Sequence, residues 1–174
     1  MNFDLFILKG LSEKVAFKSG IGYRNKGKKT TTQYINNQGN VLGDLEGKSS
    51  SQYINVPLLL HITTGTNKVF FMHFGPYLAY LLKAQQSTNG ASKAYDYLNT
   101  NEVYTDLSKK IDVGLTVGLG FNIKLSDKMK FIIMAQNELG LINTSRVSVY
   151  GGGAVRYNSS ALMFGLSRSL FKPN

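Results

Sequence analysis

The sequence predicts an all-β protein, an antiparallel up-and-down transmembrane β-barrel, and three observations support that prediction. Residues 111 to 125 alternate without interruption between large apolar residues and either polar residues or glycine, as a strand with two different faces requires. The sequence contains no apolar run of the roughly eighteen residues that a transmembrane helix needs. Short and long connections alternate between the predicted strands, which is typical of meanders in an outer membrane.

Composition indicates a single domain, residues 1 to 174, rich in sheet. The chain has 18 glycines, 10 tyrosines, 10 phenylalanines and only 3 prolines, a balance that favours strands with close backbone approaches. It has no cysteine, which excludes disulfides, thiol catalysis and thiolate metal sites.

Seven segments have strand character, and the first six form three hairpins with tight turns. The connections between hairpins are rich in Asn, Ser, Thr, Gly and Lys, so long loops are expected over 26 to 52, 85 to 110 and 143 to 156. The predicted strands are residues 1 to 9, 15 to 25, 53 to 63, 67 to 84, 111 to 125, 129 to 142 and 157 to 171.

The register of one hairpin can be predicted from its apolar faces. Pairing Leu125 with Met129 keeps the apolar residues of both strands on the same side. On the other face small residues then meet large ones, and we expect Gln136 and Met134 to fill the space above the glycines. The predicted pairs are Thr116 with Glu138, Gly118 with Gln136, and Gly120 with Met134.

The face that carries the glycines also carries charges of both signs. A dry core would not hold so many ionisable groups, because each must be paired at a cost of several kcal/mol. We therefore expect lipid outside and a hydrogen-bonded polar interior. A soluble lipocalin-like barrel that binds a lipid or another hydrophobic ligand would invert this pattern, and it remains the alternative. The residues predicted for the interior are Lys18, Arg24, Asp112, Lys124, Gln136 and Glu138.

The formal net charge is +10, and the densest basic cluster is Arg24, Lys26, Lys28 and Lys29. A solvated loop is the simplest interpretation of this cluster, with contact to anionic lipid headgroups as the alternative. The other basic residues scatter through turns and strand ends, and no RNP-type motif occurs. Nucleic-acid binding is therefore not expected.

No set of residues predicts catalysis, a cofactor or a metal site. His61 and His73 fall on the inner face of one hairpin, not directly opposite each other, and are interpreted as part of a polar interior. Asp112 and Glu138 are interpreted as partners of basic residues in a narrow barrel. Five tyrosines near strand ends suit an interfacial aromatic girdle: Tyr23, Tyr53, Tyr77, Tyr80 and Tyr157.

Five short motifs in sequence order resemble the PorT-like outer-membrane β-barrel family of Bacteroidota-type bacteria, whose members are often described as porin-like. The resemblance covers nearly the whole chain. The motifs lie at residues 53 to 60, at 74 to 77 with Leu81, at 112 to 114 with 118 to 120, at 138 to 143, and at 162 to 166.

The resemblance implies an outer-membrane location, eight strands and a structural or interaction role. It also implies contact with outer-membrane lipid and with other envelope or secretion proteins through the long loops. Relative to the family, we expect this sequence to lack the signal peptide and the first strand, since residues 1 to 11 contain Asp4 and lack a positively charged start. Eight strands leave an interior filled by side chains, so no wide pore is expected.

Overall fold

The computed structural model describes residues 2 to 35, 38 to 65, 69 to 90, 100 to 147 and 153 to 169. Within them the chain forms eight antiparallel strands and one short 3-10 helix, Thr105–Leu107. No helix in this part of the chain is long and apolar enough to cross a membrane. The strands are β1 Phe3–Gly10, β2 Val15–Ile35, β3 Val41–Thr64, β4 Phe70–Gly90, β5 Thr100–Val103, β6 Ile111–Lys124, β7 Met129–Gly140 and β8 Asn158–Arg168.

Seven of the strands form one meander, in the order β1-β2-β3-β4-β6-β7-β8, and β5 pairs with the far end of β4. The connections β1–β2, β3–β4 and β6–β7 lie at the same end of this sheet, which we call the short-turn end; the opposite end is the loop end. The predicted fold class, an all-β antiparallel up-and-down meander, is confirmed. The seven predicted strands form the meander, whereas β5 and the end of β4 lie within the loop predicted over residues 85 to 110.

The edge strands β1 and β8 face each other across a cleft of about 450 Å³. Among the described residues no backbone pairing joins them. Both strands run towards the short-turn end, so a strand between them that ran the other way would be antiparallel to both. The expectation of a further strand ahead of residue 1 stays a prediction.

The predicted register of β6 and β7 is confirmed. Gly118 pairs with Gln136 and Thr116 with Glu138. The backbone N–H of Leu125 donates to Met129 O at 3.0 Å, so the turn and the apolar pattern select the same alignment.

The alternation along the strands separates a polar buried face from an apolar exposed one. On β6, Leu119 is 61% exposed, whereas Asp112 and Thr116 are buried. This arrangement contradicts the alternative of a soluble barrel with an apolar lumen, because the large apolar side chains lie outside. Exposed residues on other strands continue the same surface, including Leu5, Ile21, Leu58, Leu78, Phe164 and Leu166.

The prediction of a loop over residues 26 to 52 is wrong for most of that range. β2 and β3 continue as a paired hairpin, from Lys26 opposite Ser51 to Gln33 opposite Asp44. Its side chains are mostly polar, so the apolar periodicity that marks the other strands is missing here. The three consecutive threonines at 30 to 32 are nevertheless typical of a strand, since β-branched residues fit a pleated backbone.

The interior position predicted for Lys124 is wrong. Its side chain is 64% exposed, and Nζ lies 2.7 Å from a carboxylate oxygen of Asp127. Lys124 is the last residue of β6, so its side chain passes the rim and reaches the β6–β7 turn.

The ion pair at this turn gives a pH-dependent signal. Hydrogen bonding and charge attraction from Lys124 hold the pKa of Asp127 below its ordinary value of 3.8. The small stabilisation is present above pH 3.8 and is lost as the pH falls through the lowered pKa. We expect Lys124→Gln to raise the Asp127 pKa in an NMR titration in micelles, while Lys128→Gln leaves it nearly unchanged. An identical Asp127 pKa in wild type and Lys124→Gln would contradict the pair.

Candidate functional site

The candidate site is a group of buried charges inside the sheet, which we call the ion network: Asp4, Arg24, Lys26, Asp112 and Glu138. Strand alternation directs all five side chains inward, from β1, β2, β6 and β7. Each carboxylate lies within ion-pair distance of Arg24 or Lys26. The network therefore brings together strands that are far apart in the sheet order.

Glu138 is the centre of the ion network. Its Oε1 accepts hydrogen bonds from Arg24 Nε at 2.6 Å, Asn55 Nδ2 at 2.9 Å and Gln136 Nε2 at 3.1 Å. Its Oε2 lies 3.3 Å from Lys26 Nζ, although without hydrogen-bond geometry. One carboxylate thus receives donors from β2, β3 and β7.

Lys26 connects Glu138 to a second carboxylate. Its Nζ donates to Asp112 Oδ2 at 3.3 Å and to Tyr77 Oη at 3.1 Å. Tyr77 Oη in turn donates to Asp112 Oδ2 at 3.0 Å. The Lys26 ammonium also lies 4.5 Å from the centroid of the Tyr77 ring, so a cation-π contact adds to the ion pairs.

The prediction that Arg24 and Lys26 contact lipid headgroups is wrong, because both are almost completely buried. β2 does not end at residue 25, and its alternation carries Lys26 inward. Lys28 and Lys29 are exposed, and Lys29 Nζ lies 2.9 Å from Glu46. Headgroup contact by Lys28 and Lys29 stays a prediction.

The other residues predicted for the interior lie at different depths. Arg24, Asp112 and Glu138 meet in the ion network, and Gln136 donates to it. Lys18 is buried but forms no ion pair in the described part of the chain. Sequence reasoning missed Asp4 and the inward role of Lys26. The signal for Asp4 is its place as the single charge in the apolar run of residues 3 to 8.

Aromatic rings of β4 fill the space above the β6 glycines. Tyr77, His73 and Phe71 pair with Gly114, Gly118 and Gly120. A Cβ at Gly118 would overlap the imidazole of His73, and one at Gly120 would overlap the phenyl ring of Phe71. The prediction that Gln136 fills this space is therefore wrong at Gly118. The prediction that Met134 fills the space at Gly120 is partly right, since a Cβ there would meet both Met134 and Phe71.

His61 and His73 are directly opposite each other, contrary to prediction. The register differs because β4 begins at Phe70 rather than at residue 67. The imidazole centroids lie 6.3 Å apart, and His73 Nε2 is 3.2 Å from Gln136 Oε1. The Nδ1 atom of each ring has no hydrogen-bond partner within the described residues.

The prediction that Tyr53 and Tyr77 belong to an aromatic girdle is wrong, because both side chains are 1% exposed and point into the lumen. Tyr53 packs edge-on against Tyr157 with ring centroids 6.0 Å apart. Tyr80 is exposed on the outer face, as a girdle residue must be, and Tyr23 is half-buried.

The described contacts of these groups are ion pairs and hydrogen bonds between strands. Within the described ranges, no group of three or more His, Asp or Glu side chains is placed to hold a metal ion. The acids are engaged by basic partners and by Tyr77, and serine hydroxyls do not adjoin the histidines in any hydrogen bond of the described chain. The network holds strands together by mutual neutralisation of buried charge.

Comparison with known proteins identifies one family model. The model described as "Outer membrane protein beta-barrel domain" matches residues 1–160. No curated protein and no solved structure matches the chain.

Removing the charge of Glu138 tests the ion network. Glu138→Gln removes the carboxylate that Arg24 and Lys26 share, although Asp4 and Asp112 still pair with them. The loss of charged hydrogen bonds should lower the free energy of unfolding by about 1.5 to 3 kcal/mol. Glu46→Gln removes an exposed pair with Lys29 and should cost about 0 to 1 kcal/mol. Urea unfolding in lipid vesicles measures both values. Equal, small losses in the two variants would show that the network contributes nothing.

Gly118→Ala tests the close approach of His73. The added methyl must displace the imidazole and its hydrogen bond to Gln136, so we expect a loss of about 1 to 3 kcal/mol. Gly165→Ala is the matched control, because the same methyl on β8 would meet nothing within 4 Å. Gly165→Ala should be neutral or stabilising by up to about 1 kcal/mol. A neutral Gly118→Ala would contradict the packing described.

Proposed function

Because the chain belongs to the outer membrane protein beta-barrel domain family, it is an outer-membrane β-barrel protein, and we propose that it serves a structural or interaction role with a filled lumen. The exposed apolar face of the strands is the surface that contacts lipid. Barrels of this kind place their short turns on the periplasmic side, so the loop end faces outwards. No catalytic activity is proposed.

One observation carries the proposal of a filled lumen: side chains of β2 contact side chains of β6 and β7. Arg24 bonds to Glu138 and Lys26 to Asp112, although β2 is a sheet neighbour only of β1 and β3. Such contacts have to cross the lumen. Side chains that meet in the middle leave no continuous aqueous path of porin width.

The proposed interaction surface is the loop end, where β2, β3, β4 and β5 continue as a polar sheet. Their paired segments extend from Lys28 to Gln33 on β2 and from Gln85 to Thr88 on β4. Lys28, Lys29 and Lys48 add positive charge there. We propose other envelope or secretion proteins as partners of this surface, and anionic headgroups as partners of Lys28 and Lys29. The PorT-like resemblance of the five motifs supports a link to secretion.

A filled lumen predicts low electrical conductance. The full chain, refolded and inserted in planar bilayers, should give no open-channel steps of the size seen with a wide general porin measured in the same apparatus. Insertion is verified in parallel by protease protection of the reconstituted protein. Porin-sized steps from correctly inserted protein would overturn the filled-lumen proposal.

Lipid contact predicts that the cost of a new charge on the outer face depends on depth. Leu119→Arg, in the middle of β6, should lower the free energy of unfolding in vesicles by about 2 to 4 kcal/mol. Ile111→Arg, at the first residue of the same strand, should cost only about 0 to 1 kcal/mol. If the two variants lose the same stability, the outer face does not span the hydrocarbon layer.

A further inference from the structure

A cavity of about 190 Å³ lies inside the barrel at the short-turn end, separate from the ion network. Phe6, Phe71 and Ile132 form part of its wall, and Lys18, His61 and Lys130 supply polar groups. The β1–β2 turn, with Glu13 and Lys14, borders it. None of the five ion-network residues lines this cavity, so the charged residues of its wall are not part of the ion network.

Lys18 is a buried cation without an ion-pair partner among the described residues, although the charge of Asp4 attracts it from a longer distance. Lys18 is 5% exposed, and its ammonium lies 4.3 Å from the centroid of the Phe6 ring. Among the described residues no carboxylate lies within 4.0 Å of Lys18 Nζ. The interior acids Asp4, Asp112 and Glu138 form their ion pairs with Arg24 and Lys26, and none of the three lies at ion-pair distance from Lys18. A buried ammonium in this position is costly unless an anion joins it.

His61 supplies a second, independent observation. The residue is 6% exposed, and its Nδ1 atom has no hydrogen-bond partner within the described chain. Buried polar atoms are nearly always hydrogen-bonded, and His61 is one of the residues that line the cavity, so its imidazole is placed beside any ligand bound there. Lys130, half-buried on β7, and Lys14 bring the cations of the wall to three. Glu13 is the single acid among the lining residues.

We propose that this cavity binds a phosphate group through Lys18, Lys130 and His61. Lysine ammoniums and an imidazole N–H are charged or polar donors that suit the several oxygens of a tetrahedral anion. The volume of about 190 Å³ is large enough for several water molecules, and it admits one phosphate group with a short substituent.

The phosphate group has two accessible sources. Free phosphate enters from the short-turn end, past the β1–β2 turn. A phospholipid headgroup of the adjacent leaflet reaches the cavity from the same end, where Ser12 and Lys14 of the β1–β2 turn line it. The chemistry of recognition is the same in both cases, and the source is decided by experiment.

The test uses the full chain refolded in maltoside micelles, which contain no phosphate. Inorganic phosphate and dihexanoyl phosphatidic acid are titrated separately by isothermal calorimetry. The variants are Lys18→Gln and Lys130→Gln, and the control is Lys9→Gln, an exposed lysine at the same end of β1. Lys130 is only half-buried, so Lys130→Gln carries the test if Lys18→Gln does not fold.

Wild type and Lys9→Gln should bind at least one of the two probes, and Lys18→Gln and Lys130→Gln should bind it about tenfold or more weakly. Binding of inorganic phosphate identifies a site for the free anion, and binding of phosphatidic acid alone identifies a headgroup site. Absence of binding to both probes in wild type, or equal affinity in Lys130→Gln and Lys9→Gln, overturns the proposal.

Discussion

The carboxylate of Glu138, buried inside the barrel, is the constraint on which the rest of the interior depends. A buried charge costs several kcal/mol unless it is paired and hydrogen-bonded, and Glu138 achieves this with donors from three strands. Arg24 and Lys26 must therefore reach across the lumen from β2. Asp4 pairs with Arg24, and Asp112 pairs with Lys26. The lumen is held by polar contacts in place of the apolar core of a soluble domain.

The lumen is narrow enough for these contacts because β6 carries glycine where β4 carries rings. Gly114, Gly118 and Gly120 let Tyr77, His73 and Phe71 lie flat against the neighbouring strand. Tyr77 contributes twice, since its ring covers Gly114 and its hydroxyl binds Asp112 and Lys26. Packing and charge neutralisation are consequently coupled on the same two strands. On the outside no such complementarity is needed, because fluid lipid adapts to the apolar face.

Periodicity predicted the fold class and the register of β6 with β7, since both depend on a pattern contained in the strands themselves. It predicted the face of most interior charges but not their depth. Lys124 and Lys18 both occupy inward positions of the strand alternation, yet the Lys124 side chain passes the rim and is exposed. Lys26 was assigned to a loop because the outward positions of β2 from 25 to 33 are polar or glycine, so the apolar alternation ends before the strand does. The pairing of His61 with His73 depends on the length of the β3–β4 turn, which the apolar pattern does not determine.

The central claim is that alternate residues face lipid and a filled polar lumen. The absence of cysteine allows single nitroxide labels at Ala161, Leu162, Met163 and Phe164 of β8, whose inner face is only half-buried and can accept a label. Spin relaxation by lipid-soluble oxygen in vesicles measures contact with the hydrocarbon layer. High oxygen accessibility is expected at 162 and 164 and low accessibility at 161 and 163. The reverse alternation, or equal accessibility at all four positions, would contradict the account.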